Sequence, residues 1–366
     1  MPHLHRPEVS AGLLRDTKPA PSLSPAIAQA IRVMVACLVT YGIVEYLGLR
    51  QGAWAIFTLL IVMQGSAGAT AGAAIDRLIA TIAGAVLGGL VVLAMPHTPL
   101  ATGLSLVLVS GVLTFGAVRQ PRMRGAALTA AIVLLTRTPD FPVGAFVVDR
   151  IIEISLGGVA GVLASRFVLP VRSRNRMIER FRAVLGAMAD LLDAQGIALE
   201  SGEALSVSEA NIALRKSLMV AETIFVDAQR EKKLGLVRDD VSDAIPRTLW
   251  RLRNSISQMG GLLEHPFPLP VRDAVGIAAA EMLYSQARFA RACADAMADN
   301  STIASDHEAD AADVFETAFV SLQHSDVARG MPFDTVGRVF GLAYTLRRMR
   351  QDFHDLAARL AESRNA

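Results

Sequence analysis

The sequence lacks nearly every short signature of chemistry. There is no GxxxxGK[ST] loop, which excludes a nucleotide-driven pump encoded in this chain. There is no GxSxG, no CxxC and no HxxxH, so neither nucleophile nor metal chemistry has residues to stand on. The seven histidines are scattered, and His3 and His5 fall in a polar tail. Only two cysteines occur, Cys37 in an apolar run and Cys293 in the second half, so no disulfide framework follows and a reducing compartment fits that half. The first 24 residues hold prolines but no apolar core of a signal peptide, and they read as a disordered arm before an uncleaved anchor.

Charge is scarce in one half only. Residues 1–170 hold 12 Lys/Arg and 7 Asp/Glu, whereas residues 171–366 hold 24 and 27. The net charge of +2 thus averages two stretches suited to different solvents and says nothing of partners; no nucleic-acid partner is expected. Crossing a ~30 Å hydrocarbon core takes about 20 apolar residues. Six runs are candidates, at about 25–47, 54–75, 77–95, 100–118, 125–136 and 143–169, the fifth being the shortest. Pro96, His97, Thr98 and Pro99 form a turn, and Pro170 ends the last run. Arginine and lysine collect in alternate connections: Arg6, Arg15 and Lys18, then Arg77, then Arg119, Arg122 and Arg124, then Arg172, Arg174 and Arg176. The opposite connections hold Arg50 and Arg137, so the positive-inside bias puts both termini in the cytosol.

Residues 171–366 carry helical periodicity over about 173–199, 207–234, 239–263, 270–298, 308–324 and 333–363. Helices this long suggest an elongated antiparallel bundle. Arg247 and Arg251, one turn apart, suggest an anion-sensing strip or, more simply, a solvated face with Asp243 and Arg247 paired. The expected fold is all-α: a six-helix transmembrane bundle at 25–170 after the arm at 1–24, then a cytosolic helical bundle at 171–366.

Ionisable groups at membrane depth are costly and are candidates for function. Arg32 lies inside the first run, where it lines an anion path or snorkels toward headgroups. Glu45 lies near the far end of that run. Arg77 and Arg166 read chiefly as interface residues, with Arg77 kept as a pathway candidate. Arg150 and Glu153 share a helix face three residues apart, which suits proton coupling or a structural ion pair. Small residues at four-residue spacing, Gly68 and Gly72, Gly84 and Gly88, Gly157 and Gly161, allow close helix packing.

The stretch from Gly52 and Trp54 through Val62 to Gln64 resembles the second-helix signature of the fusaric acid resistance / aromatic acid exporter family. Gly68-Ala69-Thr70, Arg77 through Thr81 to Gly84, and Arg150 through Glu153 to Pro170 are similar to further motifs of that family. Leu234-Gly235-Leu236-Val237-Arg238-Asp239-Asp240 resembles it more loosely. Gly65 stands where the family has Pro, and Ala80 where it has Gly. The plan also resembles the plant aluminium-activated malate channels. The resemblance implies a bacterial inner-membrane exporter of aromatic or other organic carboxylates, coupled to H+, with no cofactor or metal. A passive organic-anion channel and a non-transporting membrane scaffold stay open as alternatives. Many members hold two such halves; this chain holds one, with no internal repeat apparent, so the resemblance implies a homodimer in the lipid bilayer.

Overall fold

The computed structural model describes residues 25–96, 98–136, 142–170, 173–235, 242–299, 303 and 306–365. The arm at 1–24, Arg137, Arg172 and Arg238-Asp239-Asp240 lie outside the described residues. The architecture is all-α, and the chain divides into two compact units. Of the described residues, one unit holds those from 25 to 173 together with 226–235, and the other holds Arg174–Phe225 and those from 242 on.

The apolar unit contains α1 (Pro25–Leu47), α2 (Ala53–Val62), α3 (Ala67–Ala94), α4 (Pro99–Arg119), α5 (Ala126–Leu135) and α6 (Val143–Phe167). Three of these, α1, α3 and α4, are long and apolar enough to cross a membrane. The other three of the six expected runs do not meet that measure of length and apolarity. α6 has 25 residues but carries Asp149, Arg150, Glu153 and Arg166. α2 and α5 have 10 residues each, roughly 15 Å, or half a hydrocarbon core.

The second run of apolar residues, read as one helix over 54–75, is broken after Val62. Ser66 is extended, and its hydroxyl accepts the Ala69 N–H, starting α3 ten residues earlier than composition suggests. The Thr70 hydroxyl accepts the Gln64 N–H across the break. Arg77 therefore lies inside α3 and not in a connection. On the outside of the unit, Leu93, Val107 and Val118 are each at least 70% exposed, and α4 buries only Ser105, Val109 and Leu113. An apolar exterior of this extent is that of a protein whose solvent is lipid.

The six helices are two copies of one long–short–long unit. α1 to α3 and α4 to α6 match at spacings of 71 to 74 residues: Pro25 with Pro99, Thr40 with Thr114, Gly42 with Gly116, then Ala55 with Ala126, Thr58 with Thr129, Val62 with Val133. Asp76, Arg77, Ile79, Gly84, Val86 and Gly88 match Asp149, Arg150, Ile152, Gly157, Val159 and Gly161. The packing repeats with the letters. A Cβ on Gly84 would strike the Ala126 carbonyl, and one on Gly157 would strike the Ala55 carbonyl. Gly88 faces Ala130 and Val133, as Gly161 faces Leu59 and Val62. α3 and α6 cross antiparallel: the Thr70 and Ser165 hydroxyls are 3.1 Å apart, Gly158 faces Ala74, and Gly89 faces Val143 and Val147. The two copies are thus inverted about a point near Ile79 and Ile152. The absence of a repeat holds only for the whole half; a repeat of half that size lies within it.

Gly68 and Gly72 serve another neighbour. The Glu231 carboxylate, 4% exposed, accepts the Gly68 N–H at 2.9 Å, and Arg230 lies over Gly72. An anion on the first turn of α3 satisfies an otherwise open amide and opposes the helix dipole favourably.

The helical unit comprises α7 (Ser173–Ser201), α8 (Ser208–Lys233) up to Phe225, α9 (Ala244–Leu263), a turn α10 (Leu269–Val271) leading through a π-turn into α11 (Ile277–Asp299), α12 (Asp306–Gln323), a turn α13 (Asp326–Arg329), and α14 (Phe333–Asn365). Phe181, Leu185 and Met188 of α7, Leu249 and Ile256 of α9, Leu283 of α11, Phe315 of α12 and Phe353 of α14 fill its core. The expected Asp243–Arg247 pair does not form among the described residues, and Arg251 is no free anion sensor. It joins α9 to α14 through Asp352, at 3.2 Å, and Asp355.

Two outcomes follow. Gly157→Leu or Gly84→Leu forces a side chain into a facing carbonyl, so neither variant is expected to elute as a monodisperse species in mild detergent. Gly116→Leu, which meets open space, elutes as the parent does. In the helical unit, Arg347 grips Glu316 with two hydrogen bonds of 2.6 Å, which hold that carboxyl below the usual range. This support is full above the ordinary Glu pKa of about 4.3 and is lost as pH falls through the lower folded value. Glu316→Gln should lower the thermal midpoint at pH 7 and leave it unchanged near pH 2, as followed by circular dichroism of the full chain.

Candidate functional site

Arg150 lies on α6 with 2% of its surface exposed, an environment that requires compensation for a full charge. Three groups provide it. Glu153, one turn on, places a carboxylate oxygen 3.5 Å from Nη1, both side chains being buried. Trp54 at the start of α2 lies under the guanidinium at 4.5 Å, and Phe146, one turn back on α6, lies at 4.9 Å. Cation–π contacts of this kind strengthen as water is removed. The Gln51 backbone adds a hydrogen bond to the Glu153 carboxylate. The pair is close yet incompletely bonded: Arg150 Nε and Nη1 and Glu153 Oε2 have no hydrogen-bond partner. Such a pair keeps hydrogen-bonding capacity that a ligand or a proton can use.

The other candidates separate. Arg32 is 1% exposed. Its Nε donates to the Val168 carbonyl at 3.0 Å, Nη2 to Leu169 at 2.6 Å, and Nη1 to the Gln29 side chain. It closes the C-terminal end of α6, where open carbonyls and the dipole favour a cation. Leu169 there has φ 46°, a left-handed turn held by this clamp. Glu45 is exposed in the last turn of α1. Arg166 is exposed and lies 5.7 Å from the Phe167 ring. Arg77, read as an interface residue, is 8% exposed and sits ten residues inside α3. Its neighbour Asp76 pairs instead with Arg122 at 3.6 Å.

A cavity of about 550 Å³ opens between the C-terminal end of α3, the start of α4 and the end of α5, lined by Val92, Met95, Thr98, Thr102, Ser105 and Leu135. The equivalent end in the inverted copy, where α6 meets the start of α1, is the one that Arg32 closes.

The match to known proteins covers this arrangement and the helical unit alike. Residues 26–366 match the fusaric acid resistance protein family. The chain belongs to that family. It is a membrane transport family, and the apolar helices fit membrane insertion. No curated protein matches the chain.

Trp54, Phe146 and Gln51 were not among the candidates that the sequence suggested, because aromatic residues and amides in apolar runs carry no mark of their own. One signal was present: α2 and α5 are short apolar segments at corresponding places in two copies, a pattern that points to the binding region of repeat-built transporters. Glu153→Ala strands a buried cation and should cost about 3 kcal/mol or more of stability, whereas Arg150→Met with Glu153→Leu should recover most of it. Thermal unfolding of the purified protein in detergent measures both.

Proposed function

We propose that the chain is a secondary exporter in a bacterial inner membrane, moving aromatic or other organic carboxylates outward with proton coupling. Both termini and the helical unit face the cytosol in this reading. With Arg77 placed inside α3, the remaining arginines and lysines still favour that orientation, with Arg119, Arg122 and Arg124 opposed by Arg50 and Arg137. The observation that carries the proposal is the buried Arg150–Glu153 pair with three unused hydrogen-bonding atoms. A cation in that position attracts a carboxylate, and an adjoining acid can take a proton as the charge balance changes. Inverted copies support a carrier, since one packing and its mirror arrangement expose opposite ends in turn. A cavity at one end and the Arg32 clamp at the equivalent end fit one such state.

Efflux from cells stripped of their other exporters and loaded with fusaric acid and simpler aromatic acids tests this. Wild-type protein should speed efflux, a protonophore should abolish it, and Glu153→Gln and Arg150→Ala should each reduce it at least about tenfold. Proton-independent anion current that survives Glu153→Gln would establish a channel. No flux of any acid, with the protein present in the membrane, would leave a scaffold.

A further inference from the structure

The repeat permits a comparison within one molecule. Arg77 and Arg150 occupy the same position in the two copies, roughly 4 Å on either side of the middle of the α3–α6 crossing. Both follow an Asp, both are more than nine-tenths buried, and each faces the start of the short helix of the opposite copy. Their surroundings differ in one consistent way. Every side chain that compensates Arg150 is missing around Arg77. Where Glu153 supplies a counter-charge, the first copy has Ala80. Where Phe146 lies beside the guanidinium, it has Ala73, and where Trp54 covers it, Gly125.

The Arg77 guanidinium is consequently bare. Among the described residues no side chain pairs with it, and its Nε is buried with no hydrogen-bond partner. Its Nη1 lies 2.9 Å from where a Cβ on Gly125 would stand, at the start of α5, whose N-cap has no side-chain hydrogen bond. A buried cation beside open helix amides is a place for an anion.

We propose that Arg77 is a binding site for an aromatic carboxylate, the ligand supplying what Glu153, Trp54 and Phe146 supply to Arg150. The carboxylate takes the part of Glu153 and the amides at the start of α5 share it; the ring takes the part of the indole over the guanidinium face. Arg150 and its partners are the built-in template for the bound state. The site rests on the reading of the protein as a carrier of organic anions and adds to it a location and a shape. Two features of the cargo are needed together: a negative charge and a flat ring. Acetate has the first alone, and benzamide the second alone.

The test is calorimetric titration of the full chain in mild detergent with benzoate, acetate and benzamide. Wild type should bind benzoate at least about tenfold more tightly than acetate, with no binding of benzamide, and Arg77→Gln should weaken benzoate at least about tenfold. Arg77→Lys retains the charge without the planar fork and guards against a misfolded Gln variant. It should still bind both acids while losing the preference for benzoate. Benzoate binding unchanged in Arg77→Gln, a benzoate preference unchanged in Arg77→Lys, or no benzoate binding by wild type would each overturn the site. Efflux retained alongside binding that ignores Arg77 would remove the site and keep the carrier; binding that depends on Arg77 without efflux would remove the carrier and keep the site.

Discussion

Contact between bare backbones at Gly84 and Gly157 is the constraint on which the apolar unit depends. Each glycine lets a long helix lie against the carbonyl of a short one, at Ala126 and at Ala55. In lipid there is no hydrophobic gain from bringing helices together, so close van der Waals approach has to hold them. The short helices then fix the starts of α2 and α5 beside α6 and α3. That placement brings Trp54 under Arg150 and Gly125 against Arg77. The electrostatics of both arginines are consequences of packing that only glycine permits.

The two buried arginine environments also show how one fold can hold a charge in two ways. Around Arg150 the chain supplies its own acid and rings. Around Arg77 the same backbone carries alanine and glycine, and no side chain among the described residues pairs with it. Arg32 is a third case, bonded to the carbonyls at the end of α6 and to the Gln29 side chain. Arg338 does the same work in the helical unit, donating to the Leu262 and Pro266 carbonyls at the end of α9. Burial alone does not distinguish these roles; the partners do.

Much of the fold was legible in the residues. The bounds of α1, α4 and α5 follow from the length of their apolar runs and from Pro25 and Pro99, and those of the long helices after residue 173 from their periodicity and breaks. The division of 53–94 into α2 and α3 was not, because Gln64, Gly65 and Ser66 interrupt an apolar run without ending it, and hydropathy is blind to an N-cap. That error moved Arg77 into a connection and hid its likeness to Arg150. The repeat itself was present in the letters, as Asp-Arg-x-Ile followed by Gly-x-Val-x-Gly in both copies. It escapes a search for a second six-helix half because its unit is three helices. The partners of Arg32 could not be read from the sequence, since the two carbonyls lie 136 and 137 residues away.

The Glu231 carboxylate on the first turn of α3 bears on where this chain can be divided. Composition places a seam near Pro170, where the charge-poor half ends. The fold does not follow it, for the apolar unit takes in residues 226–235, a stretch that returns from far along the chain. A fragment ending at the apparent seam would lack the residues that cover Gly68 and Gly72. The gene can be cut there, but the pieces would not be the two folded parts of this molecule.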